Sequence, residues 1–138
     1  MISPHAKKVL IVDDDLADVY VLQRTLRHCG VRDVQSVVTA EEASQYVAGL
    51  APFENRSLPD LIFADLKMGG VDGVQFITWL KRNPLFGKIP VVVFSGSSDP
   101  SDKDKAIQSG AKAFYKKTAQ ADQLKAIVET ALNFNGST

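Results

Sequence analysis

Pro59-Asp60-Leu61-Ile62-Phe63-Ala64-Asp65-Leu66-Lys67-Met68-Gly69-Gly70-Val71-Asp72-Gly73 is the stretch that decides the fold. Leu61 to Ala64 is an unbroken apolar run that ends at a carboxylate, Asp65, and passes at once into a glycine-rich turn. An apolar run without polar alternation marks a parallel strand covered on both faces, and such strands deliver functional groups at their carboxyl ends. Asp65 is therefore expected at the mouth of a sheet.

The same pattern recurs on either side. Val9-Leu10-Ile11-Val12 is a second buried-strand run, ending in Asp13-Asp14-Asp15, and Asp15 is placed to cap the helix that follows. From Leu16 to Cys29 the residues Val19, Leu22 and Leu26 fall at helical spacing, with Gly30 as a stop signal. Val34 to Val38 is a third strand, and Thr39-Ala40-Glu41-Glu42 is a capping box opening a helix that carries Ala43, Val47 and Leu50. Ala51 to Leu58 reads as a surface insertion ahead of the Asp65 strand. Beyond it, Val74, Ile77 and Leu80 mark a helix with Trp79 beside the stripe, ended by Pro84. Ile89 to Phe94 is the next buried strand, finishing at Ser95-Gly96-Ser97-Ser98. Pro100 to Ser109 is helical but has little apolar content beyond Ala106 and Ile107, so it is expected to be weakly held. Ala111 to Lys116 is a last short strand leading into Lys117. Leu124, Ile127, Val128, Ala131 and Leu132 then form the clearest amphipathic helix.

Five strands alternating with five helices require parallel pairing through right-handed crossovers. The expected class is α/β: a doubly wound, flavodoxin-like (βα)5 sheet of order 2-1-3-4-5, with its switch point between the first and third strands. The 138 residues, 45% of them apolar, suffice for one core, from about residue 8 to 132, with 133–138 a polar tail or the start of a linker. Sixteen basic and sixteen acidic residues cancel, which removes any global field for direct nucleic-acid or membrane binding. The single cysteine, Cys29, excludes an internal disulfide and fits a reducing compartment; with no span and no secretory signal, the expected location is cytoplasmic. His5 and His28 lack metal-ligand spacing.

The strand order puts the Asp13 to Asp15 cluster and Asp65 on adjacent strand ends, about 5 Å apart. Two carboxylates about 4 Å apart repel by about 4 kcal/mol at an effective dielectric near 20, so their joint ionisation calls for a cation. All-oxygen ligands without His or Cys suit a hard ion, and an open, hydrated cluster suits Mg²⁺ better than a closed Ca²⁺ cage. Ser95 and Lys117 end the fourth and fifth strands at the same mouth. Acids, a metal, a hydroxyl and a lysine around one Asp make a site for phosphoryl transfer with Asp65 as nucleophile.

From about Lys8 to Leu132 the chain resembles the CheY-like receiver domains of two-component response regulators. Val-Asp-Asp closing the first strand, Asp65 the third, Ser95 the fourth and Lys117 the fifth carry the resemblance, with Asp72-Gly73 after the acceptor loop. It implies that Asp65 is the phosphoacceptor, that Asp14 binds Mg²⁺ directly and Asp13 mainly through water, and that the backbone carbonyl of Lys67 completes the protein ligands. It further implies that Ser95 moves to meet the phosphoryl group while Phe114 rotates inward behind it. The implied partners are a sensor histidine kinase or phosphotransfer protein and an unspecified downstream protein that reads the fourth helix, fifth strand and fifth helix. By the same resemblance the domain catalyses only its own phosphorylation and dephosphorylation. The Asp-Leu-Ala-Asp-Val opening of the first helix, with the long loop before the third strand, resembles stand-alone receivers paired with phytochrome-type kinases. Two positions depart from the family pattern. Gly69 stands where a proline is usual, and Thr118 follows Lys117 where a cis proline is usual.

Other readings use the same residues. A haloacid-dehalogenase-type phosphatase would take Asp13 as nucleophile in Asp13-Asp14-Asp15, but Ala17 stands where Thr or Val is expected. A flavodoxin-like cofactor protein needs a phosphate-binding loop that three Asp residues would repel. A pseudo-receiver would keep the fold as a docking module, a reading to which the two departures lend support.

Overall fold

The computed structural model describes residues 6–67, 73–118 and 120–134. In chain order the elements are β1 (Lys8–Val12), α1 (Leu16–His28), β2 (Asp33–Val37), α2 (Ala40–Ala48) and β3 (Leu61–Ala64). They continue with α3 (Gly73–Arg82), β4 (Val91–Ser95), α4 (Pro100–Ser109), β5 (Ala113–Lys116) and α5 (Ala121–Leu132). All strand pairs are parallel and the order is β2-β1-β3-β4-β5, the doubly wound arrangement expected.

Alternate residues of the central strands feed two separate cores, as the period of two demands. Leu10 and Val12, Ile62 and Ala64, and Val91 and Val93 face the layer of α2, α3 and α4, where Phe76, Ile77 and Leu80 fill the space. Val9 and Ile11, Leu61 and Phe63, and Val92 and Phe94 face α1 and α5, meeting Leu22, Leu26, Leu124 and Val128. With both faces covered, the three central strands are wholly buried except at Lys8.

Helix boundaries follow local chemistry. Asp15 caps α1, its carboxylate accepting from Asp18 N–H at 3.1 Å. Thr39 caps α2 by accepting from Glu42 N–H at 3.1 Å, while Glu42 accepts from Val38 N–H at 3.3 Å, one residue before the usual capping-box position. The expectation that α2 carries Leu50 fails. Gly49 adopts φ 72° and ends the helix, so Leu50 lies beyond it and is 58% exposed. Ile89 likewise precedes β4, and Ala111 precedes β5. Trp79 stands beside the α3 stripe as read, its ring 6.2 Å from Phe76 and 6.0 Å from Phe86. In α4 only Ala106 is buried, and Ile107 is 45% exposed.

Gly73 marks a close approach that the Asp-Gly pair signalled only as a turn. A Cβ there would lie 2.4 Å from the Asp65 carbonyl oxygen and 2.8 Å from Leu66 Cα, both backbone atoms. The first turn of α3 is thus pressed against the peptide that carries Asp65, and Gly73 N–H donates to Leu66 O at 2.9 Å. Gly73→Ala is expected to destabilise the fold by about 1–3 kcal/mol, the usual cost of overpacking. A urea titration that leaves the midpoint unchanged would refute this.

Candidate functional site

Strand register sets the site. Val12 pairs with Ala64, so β1 and β3 end level, while Ala64 pairs with Val93 and β4 runs two residues further, to Ser95. The ladder runs one bond past the strands: Asp65 N–H donates to Val12 O at 3.0 Å, Asp13 N–H to Val37 O at 3.1 Å, and Lys117 N–H to Ser95 O at 2.7 Å. These bonds fix the backbones of Asp13, Asp65 and Lys117 at one mouth.

Their side chains converge on the Lys117 ammonium. Lys117 Nζ lies 2.8 Å from Asp13 Oδ2, 3.0 Å from Asp65 Oδ2 and 2.7 Å from Asp18 Oδ2. Three N–H donors thus meet three carboxylates, a charge-assisted cluster at the edge of a low-dielectric sheet. Burial alone would push the Lys117 pKa down, but the hydrogen bonds it donates to Asp13, Asp18 and Asp65 outweigh it and hold the ammonium well above the ordinary lysine range. Burial raises the Asp13 carboxyl above its usual value, with the Lys117 hydrogen bond and the Asp15 N–H acting against it.

The remaining oxygens are also held. Asp13 Oδ1 accepts from Asp15 N–H at 3.0 Å, and Asp65 Oδ1 from Lys67 N–H at 3.2 Å, so the Lys67 backbone lies against the Asp65 carboxylate. Ser95 is 1% exposed, and its Oγ accepts from Ser97 N–H at 3.3 Å. Ser97 Oγ in turn bonds Asp102 of α4, and the Lys67 ammonium sits 3.6 Å from the same carboxylate. Phe114 is half-buried against the core on the α2, α3 and α4 side. Asp14 is exposed.

Of the residues singled out from sequence, Asp13, Asp65 and Lys117 are in direct contact, Ser95 and Lys67 flank them, and Asp14 stands at the rim. Asp18 was missed as a member of the cluster. In sequence it stands out only as part of the Asp-Leu-Ala-Asp-Val opening of α1, and nothing local points to a lysine 99 residues away. Gly69 and Asp72 lie outside the described residues. The Lys117–Thr118 bond is trans: Ala51–Pro52 is the one cis bond among the described residues.

The donor chemistry of Asp13, Asp14 and Asp65 fits a hard divalent cation. As the side chains stand, the ammonium of Lys117 takes the bay between Asp13 and Asp65. Among the described residues no group of three or more acids, histidines or cysteines is gathered closely enough to hold an ion without rearrangement.

The family model described as response regulator receiver domain matches residues 9–129. The chain belongs to this family. The receiver is 32% identical over 124 residues to response regulator Rre1 of Synechocystis sp., covering 90% of this chain and 51% of that protein. It is 33% identical over 130 residues to the KDP operon regulatory protein KdpE of Escherichia coli, covering 94% and 53%. With NtrC of Salmonella typhimurium it shares 31% over 126 residues, 91% of this chain and 24% of that one. The receiver thus spans about half or less of these curated relatives. Among solved structures it resembles the phosphorylated cyanobacterial phytochrome response regulator RcpA, with TM-score 0.82, 32% identity and coverage of 90% and 89%. The Mn²⁺-bound response regulator Rcp1 superposes with TM-score 0.77 at 25% identity, covering 90% of each chain. Receivers of this family work in two-component systems with histidine kinases, and phosphorylation and magnesium are typical of them. Among the described residues no helix of the receiver is long and apolar enough to cross a membrane.

Proposed function

We propose that this receiver is a phosphoacceptor switch in which Asp65 takes a phosphoryl group from the phosphohistidine of a sensor kinase or phosphotransfer protein. The observation that carries this reading is the contact of one ammonium with Asp65 and Asp13 at the carboxyl edge of the sheet. An Asp65 oxygen attacks phosphorus, and the P–N bond breaks with its electron pair retained by the imidazole, which takes up a proton; the product is an acyl phosphate on Asp65. Lys117 redirects an N–H to a phosphoryl oxygen, and Ser95 Oγ supplies a second donor once it turns from Ser97. Asp14, Asp65 and the Lys67 carbonyl would hold Mg²⁺, with Asp13 acting through water. Bound there, the ion would supply positive charge to neutralise the phosphoryl oxygens. The RcpA and Rcp1 structures, one phosphorylated and one metal-bound, support the reading for a chain of this likeness. Likeness to RcpA also supports a phytochrome-type kinase as donor.

The consequence for partners runs through Ser95, Phe114 and α4. Movement of Ser95 and Phe114 toward the phosphoryl group would shift an existing equilibrium of the face formed by α4, β5 and α5. The test is intact mass after incubation with Mg²⁺ and acetyl phosphate, repeated with EDTA. One added phosphoryl group, lost when the metal is chelated, is the expected result; an unmodified mass in both would overturn the proposal.

Lys67 offers a further check. Its backbone touches Asp65, and its exposed ammonium lies 3.6 Å from the largely buried Asp102 carboxylate. Near an acyl phosphate that charge would hinder the attacking water. Lys67→Ala is expected to shorten the phospho-Asp65 lifetime by up to about fivefold, what an exposed charge contact of ~1 kcal/mol allows. Unchanged decay of the phosphorylated mass would remove the idea.

A further inference from the structure

Lys117 follows the last residue of β5 and carries a flexible four-carbon stem, so its aim needs an explanation beyond the backbone. The stem borders a cleft of about 150 Å³ lined by Asp18, Val21, Phe94, Thr118 and Leu124, so steric packing leaves it room to swing away from Asp65. The fixed object in this cleft is Asp18. Its carboxylate makes the shortest of the three contacts to the ammonium, 2.7 Å against 2.8 Å for Asp13 and 3.0 Å for Asp65. The residue is itself anchored: its N–H is held by Asp15 at 3.1 Å, and the next residue, Val19, is buried in the core. Asp18 sits on the rigid first turn of α1, whereas Asp13 and Asp65 are the groups whose partners must change during the reaction.

We propose that Asp18 is the positioning residue of the phosphoryl-transfer site, holding the Lys117 ammonium over Asp65 while its other donors exchange partners. This rests on the reading of Asp65 as phosphoacceptor. When a phosphoryl oxygen arrives and Asp13 turns away from the ammonium, two of the three N–H donors are redirected, and the Asp18 contact is the one that persists. A lysine held at one fixed point has far fewer arrangements to search than one free to enter the cleft, so the loss of Asp18 falls on the rate of transfer more than on the fold.

The test compares wild type, Asp18→Asn and Asp18→Glu in the full chain with acetyl phosphate and Mg²⁺, following phospho-Asp65 by intact mass. Alongside, the Lys117 ammonium is observed by proton–nitrogen NMR, and thermal unfolding is recorded for each variant. Asp18→Asn is expected to slow phosphorylation about tenfold, equivalent to ~1.4 kcal/mol of barrier. The Lys117 ammonium resonance should broaden or vanish, while the unfolding temperature moves little, and Asp18→Glu should restore much of both signals. A merely structural role would shift the unfolding temperature and leave the ammonium resonance of the folded protein in place. An Asp18→Asn rate equal to or above wild type, or an unchanged ammonium resonance, overturns the assignment. If wild type itself takes up no phosphoryl group, the phosphoacceptor reading fails and the NMR comparison still decides whether Asp18 fixes Lys117.

Discussion

Asp65→Asn is expected to abolish labelling by acetyl phosphate completely, with the fold intact. The carboxamide keeps an oxygen that can accept from Lys67 N–H, and Lys117 retains Asp13 and Asp18 as partners, so the cluster loses one contact of three. What disappears is the anionic oxygen that attacks phosphorus; a neutral amide oxygen is a far weaker nucleophile. Asp13→Asn is expected to label more slowly and still to label, because under the proposed function Asp13 would serve the metal and the lysine. The pair of variants separates the receiver reading from the phosphatase reading, in which Asp13 carries the phosphoryl group. Intact mass under identical conditions decides, and a label that survives Asp65→Asn would overturn the receiver assignment.

The second large effect is expected for Lys117→Met. The side chains of Asp13 and Asp65 are 7% and 10% exposed, and their shared counter-charge would be gone. Removing one partner of a buried ionic group typically costs 3–5 kcal/mol; with the mouth open to solvent, about 2–3 kcal/mol is expected at neutral pH. Mg²⁺ should restore part of this, since the ion can then take the place of the ammonium between the acids. Phosphorylation should slow by about a hundredfold, the usual effect of deleting one donor to developing charge. The pH dependence follows from the direction of the Lys117 shift. Its folded pKa lies above its unfolded value, so its contribution is complete below about pH 10.4 and is lost as pH climbs through the folded value. At the acid end it fades as Asp13, whose pKa burial raises, takes up a proton. Urea unfolding of both proteins across pH should therefore show their difference greatest near neutrality and shrinking toward either extreme. A constant difference would contradict an ionic origin.

Strand-end chemistry was legible in the sequence because a parallel sheet converts chain position into spatial position. Each apolar run closes at one edge, so Asp13, Asp65, Ser95 and Lys117 could be gathered without coordinates. Contacts made across elements were not legible. Asp18 reaches Lys117 only because α1 crosses beside the end of β5, a matter of helix angle on which a local pattern is silent. Lys81 carries no signal in the sequence that singles it out, yet its ammonium donates to Gly87 O at 3.1 Å and Ile89 O at 2.6 Å, and burial pushes its pKa down. Those carbonyls belong to an irregular loop whose course follows from packing. Leu50 was assigned to α2 on periodicity, and a left-handed glycine one residue earlier prevailed over the pattern.

The sparse anchoring of α4 bears on how little force the switch requires. Asp99 caps its start, and Gly110 ends it, with its backbone N–H returned to Ala106 and Ile107 carbonyls. Its secondary structure is thus locally secured, while its attachment to the sheet uses the methyl group of Ala106. Burial of that methyl group contributes about 1 kcal/mol. A single rearranged hydrogen bond to a charged group is of that size, so under the proposed function α4 would travel as an intact rod, without melting, in response to one new negative group at the sheet's edge.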